Sequence, residues 1–259
     1  MAKKKIRIDE ATVNYLEKPE LEHPVLIEGL PGVGNVGKLA AEHLIDEIEA
    51  TKFADIFSTD FPPQVFVNQE GLIKLVRNEL YYWKGDQDLV ILTGDYQGLS
   101  TRGQYVLTQA VLDVVQEFGA RRVYTLGGYG VGMDVEKPTV TGAATHASLV
   151  EELQQYGIEF RDRGGGGIVG ASGLLLGIGS MRGLEGVCLM GETSGYMVDP
   201  NSAREVLKVL TSILNINISF AKLEEKAEEI SRIAQHIKQL EKSASGLGDK
   251  DTDELSYIG

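Results

Sequence analysis

Short, unbroken apolar runs alternate with helical patterns along most of this 259-residue chain, and that alternation limits the fold more than any other feature. Five runs read as strands: 24–28, 52–57, 88–93, 122–127 and 186–190. They are mostly continuous rather than alternating, as strands covered on both faces are. Between them, Val36, Ala40, Leu44 and Ile48 recur every four residues, and 105–118 and 146–156 also carry amphipathic helical patterns. Strands and helices in this order define an α/β fold with a largely parallel central sheet flanked by helices. The stretch 64–83 differs: QVFVNQ, LIKLV and ELYYW alternate like strands around a break at Gly71, which predicts an added antiparallel hairpin or meander.

Local punctuation sharpens the reading. Asp199 stands before Pro200, an N-cap followed by a residue with locked φ and no donor, so a helix is expected over 200–214. Glycines cluster as GGYGVG at 127–132, GGGG at 164–167 and GASGLLLGIGSMRG at 170–183. These read as tight turns at sheet ends, with loops crowded around a ligand or a subunit contact as the alternative.

Acidic residues outnumber basic ones 38 to 25, for a net charge of −13, which excludes the basic stripe a nucleic-acid backbone requires. The basic run Lys3-Lys4-Lys5 is not followed by the apolar stretch of a signal peptide. No apolar run approaches the ~18 residues of a membrane span, so a cytoplasmic location is expected, with no membrane partner. The single cysteine, Cys188, lies in an apolar strand pattern and reads as core. The four histidines, His23, His43, His146 and His236, are scattered, and no metal site is expected.

Residues 29–40, GLPGVGNVGKLA, fit two phosphate-binding patterns at once: Gly32, Gly34 and Gly37 satisfy G-x-G-x-x-G, and Gly32 to Lys38 satisfy G-x-x-x-x-G-K. In the second pattern the next residue should ligate magnesium through a hydroxyl, and Leu39 has none. In the first, an acidic residue ~20 positions on should meet a ribose, and Asp55 or Asp60 would have to serve. The loop is therefore read as a tight strand-to-helix turn in which Gly37 lets the helix lie close on the sheet, with no cofactor expected. A nucleotide- or nucleoside-binding enzyme using Gly32, Gly34, Gly37 and Lys38 is the alternative. Asp95, Asp134, Glu136 and Glu192 fall near strand ends and read as caps and turn formers.

The chain divides into an α/β domain over 1–215, a helical extension over 216–242 and a tail over 243–259. In the extension, Leu223, Ala227, Ile230, Ala234 and Ile237 repeat at helical spacing. The tail is small, polar and acidic, and reads as flexible. It nevertheless closes on Leu255-Ser256-Tyr257-Ile258-Gly259, bulky groups that suit a hook for a partner.

Five ordered blocks, GLPGVGNVGKLAAEHL at 29–44, TGDYQG at 93–98, TLGGYG at 125–130, GLLLGIG at 173–179 and GETSGYMVDPNSAREVL at 191–207, together resemble the proteasome assembly chaperone family in its archaeal form. The resemblance implies an α/β fold whose layers look phosphorylase-like or Rossmann-like in outline, without catalysis. It also implies a homo-oligomer, alone or with related family members, that binds proteasome α subunits or the core particle and assists its assembly. Factors of this kind end in hydrophobic-Tyr-any residue, so the resemblance makes Leu255, Tyr257, Ile258 and Gly259 the partner-binding residues. In this sequence the tyrosine is third from the end.

Overall fold

A computed structural model describes residues 7–160, 166–230 and 232. In chain order the strands are β1 (Thr12–Tyr15), β2 (Val25–Glu28), β3 (Thr51–Phe57), β4 (Val65–Val67), β5 (Ile73–Leu75), β6 (Asn78–Trp83), β7 (Leu89–Gly94), β8 (Arg122–Gly130), β9 (Val140–Ala144) and β10 (Glu185–Thr193). The helices are α1 (Val36–Glu47), α2 (Thr101–Glu117), α3 (Ala147–Leu153), α4 (Ala171–Met181) and α5 (Pro200–Leu214), followed by α6 over 221–230.

Eight strands form one sheet in the order β1-β3-β6-β7-β2-β8-β10-β9. The central four, β7, β2, β8 and β10, are parallel. On one side β6, β3 and β1 continue antiparallel, and β9 closes the other edge antiparallel to β10. The stretch 52–57 is thus a sheet strand, as expected, but it runs antiparallel to both neighbours. The expected hairpin at 64–83 separates into a two-stranded sheet, β4-β5, and the sheet strand β6.

Burial of β2 shows why its sequence is continuously apolar. Successive side chains of a strand point to opposite faces. Leu26 accordingly enters the core under α2 and α4, with Val111, Leu112 and Leu175. Ile27 enters the core under α1 and α5, with Val36, Leu44 and Leu207. Both are fully buried, and burying a side chain of this size contributes about 1.5–3 kcal/mol.

The Asp199 side chain accepts the Ser202 amide at 2.9 Å and Pro200 opens α5, as the sequence predicts. The glycine-rich stretch 170–183 is a correction: it forms helix α4 rather than turns. Packing overrides the poor helix propensity of glycine, because Ala171, Leu175 and Leu176 are buried against the sheet and α2. The run 127–132 is likewise mostly strand, since β8 continues to Gly130. In α6, Leu223 joins the core of α1 and α5, so the start of the C-terminal extension is docked on the domain. Ala234 and Ile237 of that helical pattern, and the tail at 243–259, lie outside the described residues.

α1 lies against the sheet most closely at Gly37, where a Cβ would stand 2.1 Å from the Leu126 carbonyl oxygen. The obstacle is backbone, which cannot swing away. Gly37→Ala is expected to lower the unfolding free energy by about 3 kcal/mol, measured by urea denaturation. Gly177→Ala in α4, where a methyl group meets nothing within 4 Å, is expected to raise it by about 0.5–1 kcal/mol.

Candidate functional site

In this topology the chain leaves β2 through α1 toward β3, and crosses from β7 through α2 to β8 on the other side of β2. The carboxyl end of β2 is therefore the switch point, where open α/β sheets place their ligands. The 29–38 loop stands at this point.

The loop is occupied by its own protein. Gly34 adopts φ +61°, a left-handed conformation that glycine tolerates at no steric cost, and a Cβ there would stand 3.0 Å from Thr193 Oγ1. The Gly34 carbonyl accepts the Asp199 amide at 2.9 Å, tying the turn to the start of α5. Gln97 donates to the Pro31 carbonyl at 2.8 Å and accepts the Ala171 amide at 3.0 Å, so one side chain joins the turn to the first residue of α4. A Cβ on Gly32 would meet nothing within 4 Å.

Lys38, the residue that would reach a phosphate, instead donates to the Gly94 carbonyl at 2.7 Å and pairs with Glu42 at 3.4 Å. The two carboxylates considered for a ribose are likewise engaged. Asp60 accepts the Ser100 amide at 2.9 Å and its hydroxyl at 2.6 Å, while Asp55 pairs with Lys52 at 2.8 Å and Arg77 at 3.2 Å. The cavity lined by Leu30, Asn78, Leu92, Gln97 and Ala171 encloses about 10 Å³. That is room for one water molecule, whereas ligand pockets run to hundreds of Å³.

Of the acids at strand ends, Asp95 accepts the Arg77 amide at 3.1 Å and Glu192 accepts the Thr139 amide at 3.3 Å, so each ties together segments distant in sequence instead of capping a local turn. Among the described residues, no group of three or more His, Cys, Asp or Glu could hold a metal ion. No helix among them is long and apolar enough to cross a membrane.

Beneath the loop lies a group the sequence did not single out. Glu28, the last residue of β2, is fully buried; its carboxylate oxygens accept the Leu30 amide at 3.0 Å and the Ser172 hydroxyl at 2.9 Å. Burial pushes its pKa from 4.5 up to about 7, outweighing those two hydrogen bonds. With its oxygens engaged by the Leu30 amide and the Ser172 hydroxyl, this carboxyl ties the end of β2 to the first turn of α4.

The outer rim of this end carries exposed apolar side chains among charged ones such as Asp134, Glu136 and Lys137. Val33, Leu99, Met133, Val169, Tyr196 and Met197, all on loops or turns that follow the parallel strands or precede the helices packed on them, are exposed. The β4-β5 sheet stands at the same end, since β6 begins opposite Gly94 at the end of β7. Its Phe66 ring stacks on Tyr96 with centroids 6.4 Å apart, and Gln64 donates to the Tyr96 hydroxyl at 2.9 Å. Lys74 lies 3.5 Å from Glu79 and 3.6 Å from Asp95. Burial opposes the charge on Glu79, yet the hydrogen bond from Lys52 and the charges of Lys74, Lys52 and Arg77 prevail and bring its pKa down to about 2. The other face of the hairpin, Val65, Val67, Ile73 and Leu75, points away from these anchors and is 42 to 73% exposed.

The structure thus brings Gly34, Gly37 and Lys38 together in a packed turn. Leu255, Tyr257, Ile258 and Gly259 lie outside the described residues. Sequence reasoning missed Glu28 and the apolar rim. One signal was present for the hairpin, where Val65, Val67, Ile73 and Leu75 share a face with no polar residue among them.

Fold and strand ends define an α/β protein whose 29–38 turn is packed by its own side chains and whose strand-end loops carry exposed apolar residues. The chain belongs to the PAC2 family, whose model matches residues 26–238. Pyrococcus furiosus PbaB, described as an archaeal proteasome activator, superposes with a TM-score of 0.85 at 43% identity, over 88% of this chain and 99% of that one. P. furiosus PbaA, described as an archaeal homolog of proteasome-assembly chaperone, gives a TM-score of 0.74 at 29% identity, over 91% and 96%. The uncharacterized Methanocaldococcus jannaschii protein MJ1210 is 43% identical over 242 residues, 92% of this chain and 93% of that one.

The Glu28 environment fixes the sign of a pH effect. The native carboxyl keeps its proton up to about pH 7, while the unfolded one releases it near the ordinary carboxylate value. The resulting stabilisation is fully present below pH 4.5 and is lost as pH rises through about 7. Between these limits the wild type is expected to lose about 3 kcal/mol of stability relative to Glu28→Gln, which has no proton to lose. Urea denaturation of both proteins across the range measures the difference.

Proposed function

We propose that this chain is a non-catalytic factor of the proteasome system that binds the core particle or its α subunits and assists core-particle assembly, acting as a homo-oligomer through protein contacts. The observation that carries the reading is the likeness to PbaB, a proteasome activator, at 43% identity over 88% of this chain. The filled crevice above Glu28 supports it, because the position where an α/β enzyme holds its ligand is taken here by Gln97, Lys38 and the 29–38 turn. A proteasome activator and a chaperone homologue among its relatives also fit a surface that exposes Val33, Leu99, Met133, Tyr196 and Met197 at the strand ends.

Leu255, Tyr257 and Ile258 place three bulky apolar groups in an otherwise small, acidic stretch, and in this reading they dock between α subunits. An oligomer presents several such segments at once, and multivalency multiplies weak single contacts.

The test compares the full chain with a form ending at Glu254 for binding to an archaeal proteasome core particle. Truncation is expected to weaken binding at least about tenfold, a loss of roughly 1.4 kcal/mol or more. Equal binding by both forms would contradict the role of Tyr257 and move the contact to the globular body; binding by neither would contradict the proposal. In parallel, ATP and NAD are expected to show no saturable binding by calorimetry. Tight binding abolished by Gly34→Val would favour the nucleotide reading instead.

A further inference from the structure

At the amino end of the sheet, opposite the 29–38 turn, Val25, Arg122 and Glu185 stand level as the first residues of β2, β8 and β10. Side chains on one face of a strand recur every second residue, so Tyr124 lies one row deeper than Arg122 on the same face. The last turn of α5 brings Ile213 and Leu214 to this corner, and Glu152 of α3 flanks it. Together they line a crevice of about 350 Å³, within the size range of small-molecule sites.

The polar groups of the crevice are not all used. Tyr124 is 1% exposed and its hydroxyl has no hydrogen-bond partner, an unmet demand that folded proteins rarely leave in place. Arg122 lies beside that hydroxyl but turns its donors to carboxylates. Its Nε and Nη2 donate to Glu185 Oε2 at 2.9 and 2.7 Å, and its Nη1 and Nη2 donate to Glu152 at 2.8 and 3.3 Å. Two carboxylates therefore share one guanidinium, and Glu185 Oε1 accepts nothing among the described residues. Arg121, also on the lining, is exposed, and its side chain makes no ion pair or hydrogen bond among the described residues. The crevice thus offers an unspent cation, an unspent carboxylate oxygen, a buried hydroxyl and an aliphatic wall of Val25, Ile213 and Leu214.

We infer that this crevice is a binding site for a small zwitterion with an aliphatic body, of the class of the branched α-amino acids. The inference is independent of the proposed function, because the crevice lies at the other end of the sheet from the 29–38 turn and the exposed rim. Charge selects the class. Arg121 and Arg122 stand against Glu152 and Glu185, so a ligand with one charge of each sign enters a balanced lining and leaves no charge uncompensated. A carboxylate pairs with Arg121, whose planar guanidinium suits it. An ammonium meets Glu185 Oε1, and the Tyr124 hydroxyl gains the acceptor it lacks. The aliphatic wall covers the side chain of the ligand.

Calorimetric titration of the full chain with L-leucine as the probe is expected to show saturable binding. Arg121→Gln is expected to weaken it at least about tenfold by removing a charge-assisted pair, and Tyr124→Phe about fivefold by removing one oxygen. Gly177→Ala, in α4 on the other face of the sheet, is expected to retain the wild-type affinity, and circular dichroism checks that each variant is folded. The ligand itself supplies a comparison that needs no variant. Isocaproate lacks the ammonium and isoamylamine lacks the carboxylate, so each is expected to bind at least about tenfold more weakly than leucine. Absence of saturable leucine binding would overturn the inference and leave the crevice to water. Equal affinity in wild type, Arg121→Gln and Tyr124→Phe would place leucine elsewhere and overturn it as well. Binding of either analogue as tightly as leucine would contradict recognition of a zwitterion.

Discussion

At Gly37 the backbone of α1 rests on the Leu126 carbonyl with no room for a methyl group, and the carboxyl end of the sheet is built on that contact. It draws the 29–38 turn down over β2 and β8 and sets Lys38 against the Gly94 carbonyl. Gln97 and Asp199 then stitch the same turn to α4 and α5. Of the glycines that would cradle a phosphate in another α/β protein, Gly37 serves here to bring backbone against backbone. Glu28 is buried beneath them, and burial outweighs its two hydrogen bonds and raises its pKa.

A turn held by its own side chains changes what this end of the molecule can do. Polar groups that converge on a cavity recognise small ligands; apolar groups spread over a rim recognise surfaces. Val33, Met133, Tyr196 and Met197 lie on the rim at one end of the switch point, and the β4-β5 hairpin extends it at the other. On a chain with 38 acidic residues against 25 basic ones, such a face is where a protein partner can approach with least electrostatic cost. Membership of the PAC2 family and the likeness to an archaeal proteasome activator agree with a molecule whose work is done by contact.

Much of the fold was legible because its signals are local. The apolar runs of β2, β7, β8 and β10 and the Asp199-Pro200 start of α5 each state their structure within a few residues. Strand direction is not local: a strand covered on both faces reads the same either way, so the antiparallel setting of β3 could not be seen at 52–57. The glycines of α4 spoke for turns, and only packing against β8, β10 and α2 made that stretch a helix. The short edge strands β1 and β9 lack the apolar runs that mark the centre. At the site, Gly37 was read correctly because close packing of helix on sheet leaves a glycine in the sequence. Glu28 was not, since its burial depends on Ser172, 144 positions away. The rim residues sit singly in loops, where no periodicity marks them.

The central claim, that the carboxyl end of the sheet is covered by protein when this molecule works, is tested most directly by methionine oxidation. Met133 and Met197 are exposed on that face, and Met181 is exposed at the opposite end. Hydrogen peroxide oxidation of each, followed by mass spectrometry with and without proteasome core particle, reads the face against an internal control. The account predicts that Met133 and Met197 oxidise several-fold more slowly in the complex while Met181 keeps its rate. Equal rates at all three positions, with the complex demonstrably formed, would contradict it.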